Sequence, residues 1–233
     1  YLGELFKAMS HEKSRFIQWR FPTAANAEAQ GIDPVKFKEG YLKAYGVDFA
    51  KLKARAEHVH ERLRSVKTIR IMTKGDTLEF SLGERPWHKD TGDGDIPSGE
   101  IAIAPIESSA NGTLHVGRTR IGGTDFQDLT LVFKDGIATS DNAGFEKALE
   151  SFSGDKRTIA EFGIGLNDAI TFPIGDALHD EKILNTVHIA IGANTMFGGE
   201  NDADIHHDFI LRPERIETDG QTIYADQTLK ITE

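Results

Sequence analysis

The sequence predicts an α+β fold, a helical N-terminal part followed by a mixed, largely antiparallel, β-rich domain. Two observations carry this. Apolar residues recur at three- and four-residue spacing, with helix caps and stops, almost entirely within residues 1–65. From Val66 onward, short β-branched runs alternate with Gly- and Asp-containing turns. Helices and strands segregated along a chain point to α+β architecture rather than to βαβ units. The expected division is therefore 1–65, helix-rich, and 66–233, β-rich and carrying the chemistry.

The chain opens at Tyr1 inside an expected helix (Leu2, Leu5, Phe6, Met9), as if it were a piece of a longer protein. Arg15 to Phe21 reads as a strand ended by Pro22, and Ala24 to Gln30 as a helix. Asp33-Pro34 supplies an N-cap and a first-turn proline for a helix running to Tyr45, with Gly46 as its stop. Asp48 caps the next helix, whose Phe49, Leu52, Ala56, Val59 and Leu63 form one apolar stripe. Val66 to Met72 and Thr77 to Leu82 are expected to pair around Lys74-Gly75-Asp76, and Gly83 to Asp95 to form a loop. Strands follow at Glu100 to Pro105, Gly112 to Arg118, Leu129 to Phe133 and Gly136 to Ser140, then a helix from Ala143 to Phe152. A strand from Thr158 to Gly163 leads into a Gly-Ile-Gly-Leu-Asn turn. Thr186 to Ile191 and Ile205 to Leu211 are strands, and Arg215 to Thr218 pairs with Gln221 to Tyr224 around Asp219-Gly220.

At 39% hydrophobic and 27% charged residues, the chain has the makings of an ordinary packed core. A net charge of -10 and a pI near 5.4 oppose a general nucleic-acid or anionic-membrane surface. No run approaches the ~18 apolar residues of a membrane span, and no signal-peptide pattern is present, so a cytoplasmic location is expected. With no cysteine, the strong metal ligands available are His, Asp and Glu.

Those ligands gather in the apolar runs. His188 lies in one strand, and His206 and Asp208 in another, on one face by alternation, with His207 on the opposite face. A lone histidine in a strand is ordinarily a packed or surface residue, but these keep acidic company. Glu100 and Glu161 both sit among apolar residues, where a carboxylate is costly unless a cation pairs with it. Asp180-Glu181, shortly before His188, is a third carboxylate-bearing stretch, equally readable as a solvated loop end. Three carboxylates and two imidazoles without sulfur suit two divalent ions of the Zn, Co, Mn or Fe type.

The motifs, taken in order, resemble the M29 family of metallo-aminopeptidases, of the aminopeptidase T/S type. They are Pro97-Ser98-Gly99-Glu100 with Ala104-Pro105, Ser109-Ala110-Asn111-Gly112, Glu161-Phe162-Gly163-Ile164-Gly165-Leu166-Asn167, Asp180-Glu181-Lys182 with His188-Ile189-Ala190-Ile191-Gly192, and Ile205-His206-His207-Asp208-Phe209. Trp19-Arg20-Phe21-Pro22-Thr23 and Gly75-Asp76-Thr77-Leu78 are also similar. The resemblance implies that 1–65 is the remnant of an N-terminal α/β domain. It also implies a homodimeric aminopeptidase acting on peptides, with two Zn, Co or Mn ions. Their ligands map to Glu100, Glu161, His188, His206 and Asp208, with Glu161 and Asp208 as bridges and Glu161 as the catalytic carboxylate. Three positions depart from the family pattern. Glu181 lies further from the histidine than the family's glutamate, Thr195 stands where a tyrosine is usual, and His207 replaces a bulky residue. Two alternatives accompany this reading. Dihydroxypyridine dioxygenases resemble M29 enzymes and bind a single Fe(II) by two His and a carboxylate, here His188, His206 and Asp208. The other is a catalytically incomplete fragment.

Overall fold

The computed structural model describes residues 17–232. The expected opening helix lies outside them. Within them the architecture is α+β, with two antiparallel sheets sharing one core.

In chain order the elements are β1 (Gln18–Trp19), α1 (Ala24–Gln30), α2 (Pro34–Ala44), α3 (Phe49–Leu63), β2 (Thr68–Thr73), β3 (Asp76–Ser81), β4 (His88–Asp90), β5 (Asp95–Ile96), β6 (Glu100–Ile103), β7 (Asn111–Ile121), β8 (Thr124–Lys134), β9 (Ile137–Thr139), α4 (Ala143–Leu149), β10 (Ile159–Gly165), α5 (Ala177–Asp180), β11 (Val187–Gly192), β12 (His206–Leu211), β13 (Arg215–Thr218), β14 (Gln221–Ala225) and β15 (Thr228–Leu229). The helix starts follow from their caps. Thr23, Asp33 and Asp48 accept backbone N–H groups of Asn26, Lys36 and Lys51 at 3.1, 2.8 and 3.1 Å.

One sheet has eight strands in the order β15-β14-β13-β2-β3-β7-β8-β9, and the other has five, β12-β11-β10-β6-β4. The larger sheet contributes Ile69, Ile71, Leu78, Phe80, Leu114, Val116, Leu129 and Leu131 to the core, and the smaller Ile101, Ile103, Phe162, Ile164, Ile189 and Ile191. Phe80 and Phe162 meet across them with ring centroids 5.7 Å apart. Leu52, Ala56, Val59 and Leu63 of α3 join the same cluster. Phe49, expected in that stripe, is instead exposed at the helix start, where it lies against Gly92. Helices α1 and α2 pack separately, with Ala27, Phe37 and Tyr41 against Ile174.

Three stretches differ from the sequence expectation. The expected loop over 83–95 contains β4, which pairs with β6, and leads to β5, which pairs in parallel with β1. Polar His88, Lys89 and Asp90 carry no apolar periodicity by which a strand is recognised. Strands β7 and β8 continue through residues 119–128 as one long hairpin closed by Gly122-Gly123, because Ile121 and Phe126 keep burying alternate positions. Finally, β10 runs to Gly165, through residues expected to turn. Its glycines serve close approach there. A Cβ on Gly163 would strike the His188 imidazole, and one on Gly165 would strike the Glu181 and Ile183 carbonyls.

Phe162 is a fully buried aromatic of the small sheet that meets Phe80 of the large one. Phe162→Ala should lower stability by about 3–5 kcal/mol, as loss of a buried aromatic does. Urea denaturation measures this, and a loss below about 1 kcal/mol would mean that the Phe80–Phe162 contact does not hold the sheets together.

Candidate metal centre

Register decides which side chains meet. In the five-stranded sheet Glu161 lies opposite Ala190, which lies opposite Asp208. Gly163 lies opposite both His188 and Ala102, Gly165 opposite Glu100, and Gly192 opposite His206. Directly opposed residues share a face, so Glu100, Glu161, His188, His206 and Asp208 all project from the face away from the core. Small residues, Ala102, Gly163, Gly165, Ala190 and Gly192, alternate with them and leave room for the longer side chains. His88 and Asp90 of β4 lie on the same face, opposite Ala102 and Glu100.

The five sequence-predicted residues converge. The two oxygens of Glu161 are divided between two imidazoles, with Oε1 3.2 Å from His188 Nε2 and Oε2 2.8 Å from His206 Nε2. Glu100 Oε2 is 3.5 Å from His188 Nε2, and Asp208 Oδ1 is 3.4 Å from His206 Nε2. Among the described residues, three donor sets each gather within 4.8 Å: Glu100 with Glu161 and His188, Glu161 with His206 and Asp208, and Glu181 with His188 and Asp208. His206 donates from Nδ1 to the Ala193 carbonyl at 2.7 Å, so Nε2 is the nitrogen turned to the centre. His207 points the other way, 2.9 Å from Thr119 Oγ1, and burial holds its pKa down to about 4.

Sequence reasoning missed several neighbours. Glu181, whose role the sequence left open between the centre and a loop end, is buried in the third donor set; Asp180 beside it accepts from Ile174 and Gly175 N–H at 2.8 and 2.7 Å. Lys182 is buried against Glu181, Glu100 and Asp90. An apolar run after Asp-Glu-Lys hints at burial, but nothing local shows which groups meet it. The motif Gly-Leu-Asn ends in Asn167, whose buried amide donates to the Ser98 carbonyl at 2.8 Å and the Ala44 carbonyl at 3.2 Å. It thereby ties the loop before Glu100 to the end of β10. A single helical turn, Thr195–Phe197, begins at Thr195, where the resemblance led a tyrosine to be expected. It sets the Phe197 ring 5.5 Å from His206 and 5.6 Å from His88.

The electrostatics follow from burying so many acids. Burial is the largest influence on each group, and neighbours decide the outcome. For Glu161 it favours the neutral acid, but the His188 and His206 hydrogen bonds outweigh it and hold the carboxyl below its usual range. Burial opposes charge on His188, yet Glu161, Glu100 and Asp208 raise its pKa to about 9; His206 is raised well above normal in the same way. Burial pushes Glu181 well up, reinforced by Asp208 and Glu100, and raises Asp90 to about 7. Glu100 Oε2, Asp208 Oδ1 and His188 Nδ1 are buried without a hydrogen-bond partner. Unpartnered buried carboxylate oxygens are costly, and a divalent cation is the partner this donor set fits.

The loop carrying Phe197 is fastened by Glu107. Its carboxylate accepts from Arg85 at 2.6 and 2.9 Å, from Asn194 Nδ2 at 2.8 Å and from the Glu200 N–H at 2.8 Å. Partial burial alone would raise this carboxyl, but those donors hold it down to about 2.

The profile of a family described as thermophilic metalloprotease (M29) matches residues 3–229. Among solved structures, the chain is similar to wild-type AmpT from Thermus thermophilus, with 18% identity and a TM-score of 0.62 over 90% of this chain and 61% of that one. It is also similar to 2,5-dihydroxypyridine dioxygenase from Pseudomonas putida, with 17% identity and a TM-score of 0.70 over 98% of this chain and 75% of that one. At such identities the likeness is one of fold, and the chain spans less than two thirds of the length of AmpT. No curated protein matches the sequence.

Two outcomes test this geometry. Gly163→Ala puts a methyl group into the His188 ring, and should cost roughly tenfold or more in affinity for Zn²⁺, on the scale of disturbed ligand orientation. Unchanged affinity in a calorimetric titration would contradict the register. The second concerns Glu107. A carboxyl depressed by folding contributes stability that is complete above its unfolded pKa of about 4.3 and is lost as pH falls through about 2. The stability difference between wild type and Glu107→Gln should be flat above about pH 5 and shrink towards pH 2. A difference that grows on acidification would show the opposite sign of coupling.

Proposed function

The chain belongs to the M29 family of metalloproteases, and on that premise we propose that it is a metallo-aminopeptidase with two divalent ions at this centre. The observation that carries the two-ion reading is the division of Glu161 between the two histidines. One oxygen faces His188, with Glu100 beside it, and the other faces His206, with Asp208 beside it. A single-iron site of the dioxygenase type requires His188, His206 and Asp208 on one ion, whereas the compact donor sets separate the two histidines.

Zn²⁺, Co²⁺ or Mn²⁺ bound here would supply Lewis acidity and a water acidic enough to attack at neutral pH. Glu100, Glu161 and His188 would hold one ion, and Glu161, His206 and Asp208 the other. Glu161 keeps both oxygens occupied in that arrangement, so the proton-carrying role expected of it fits Glu181 better. Burial raises the Glu181 carboxyl well above its usual range, reinforced by Asp208 and Glu100, the direction that suits a group taking and returning a proton. The substrate class is a peptide with a free N-terminus, whose ammonium suits a face this rich in carboxylates.

Metal analysis and turnover of a leucine anilide test the proposal together. The expected result is two ions per chain, anilide cleavage abolished by EDTA and restored by Zn²⁺, Co²⁺ or Mn²⁺, and a stability gain of roughly 3–4 kcal/mol at metal near 100–1,000 times Kd. Glu181→Gln should retain metal and lose turnover by roughly a hundredfold. One iron per chain with ring cleavage of a dihydroxypyridine would install the oxygenase reading instead. Protein that binds no metal would end both.

A further inference from the structure

Lys182 is among the most deeply buried charges in the molecule, with a side chain 1% exposed. It lies on the segment between α5 and β11, and its Nζ meets three carboxylates from three parts of the chain. Nζ donates to Glu100 Oε1, stands 2.9 Å from Glu181 Oε1 and 3.8 Å from Asp90 Oδ2. The consequence for Glu100 is asymmetric. One oxygen is committed to the ammonium, while the other, Oε2, lies 3.5 Å from His188 Nε2 and has no hydrogen-bond partner.

We propose that Lys182 is a positioning residue that engages one oxygen of Glu100, so that this carboxylate offers a single oxygen to a metal ion at the centre. The inference rests on the metal-site reading above. A carboxylate free to rotate can bind an ion through one oxygen or through both, and the two modes differ in coordination number. An ammonium on one oxygen removes the second mode. A flexible Lys stem does this well because it reaches in as a compact point charge, with Glu181 Oε1 also 2.9 Å from Nζ. Lys182 touches no reacting atom in this role and acts through Glu100.

Cobalt reports the difference, since d–d bands weaken when coordination number rises. Wild type, Lys182→Met and Lys182→Arg are stripped, loaded with Co²⁺ to full occupancy, checked by circular dichroism and compared by visible absorption. In Lys182→Met the expected result is wild-type cobalt content, weakened and shifted d–d bands, and turnover of leucine anilide lowered roughly tenfold or more. Lys182→Arg, which keeps a cationic donor, should return the bands towards wild type. If Lys182→Met does not fold, Lys182→Gln, neutral and of similar polarity, is read in its place. A loaded, folded neutral variant with the wild-type cobalt spectrum overturns the proposal. So does a spectrum that Lys182→Arg leaves as altered as the neutral variant does. Failure of wild type itself to bind cobalt would instead sink the metal-site reading, so the two are told apart.

Discussion

Five carboxylates converge on the outer face of the smaller sheet, and their mutual repulsion is the constraint to which the surrounding structure answers. Asp90, Glu100, Glu161, Glu181 and Asp208 come from four strands and a connecting segment, and burial opposes the charge on Asp90, Glu161, Glu181 and Asp208. The fold meets this in two ways. Lys182 supplies a permanent cation on the side of Glu100, Glu181 and Asp90. On the other side, Glu161 and Asp208 draw protons onto His188 and His206. Protons and divalent cations are thus alternative solutions to the same electrostatic demand, which is why metal binding at such a site releases protons.

The sheet makes this convergence affordable through its two unlike faces. One face is continuous with the apolar core, so Phe162, Ile164, Ile189 and Phe209 anchor β10, β11 and β12 rigidly. The other face alternates acids and imidazoles with alanine and glycine. Long side chains need lateral space, and each small residue opposite or beside a donor provides it. A methyl group at Gly163 alone would collide with His188. The donor atoms are therefore placed by strands, which hold geometry more tightly than loops do.

Apart from Glu181, which a connecting segment supplies, loops complete the surroundings rather than the donor set. Glu107 fastens the segment bearing Phe197 over the centre, and Asn167 fastens the loop before Glu100. Phe197 packs beside His206, its ring 5.5 Å away, so this wall of the site is aromatic. The overall shape recurs in proteins of different chemistry, as the similarity to both AmpT and a dioxygenase illustrates. Fold alone does not choose between chemistries, and the placement of individual donors must.

Read by itself, the sequence determined the α+β class, the helix starts at Asp33 and Asp48, the strands carrying His188, His206 and Asp208, and the opposite facing of His206 and His207. These depend on caps and on alternation, which are properties of neighbouring residues. It also pointed to Glu100 and Glu161, because an acid inside an apolar run signals a buried partner whatever that partner is. Only the tertiary structure decided what depends on residues far apart. Glu181 and Lys182 belong to the centre because Asp180 folds their segment inward and Glu100 and Asp90 arrive from other strands. His88 and Asp90 lie in a strand that exists because β6 offers an edge to pair with, and no apolar pattern announces it. The glycines of β10 look like a turn in isolation and prove to be a strand, since the imidazole that fills the space above Gly163 comes from β11. Local patterns encode which way a side chain points. Which groups it meets is set by strand register, and register emerges only when the whole sheet assembles.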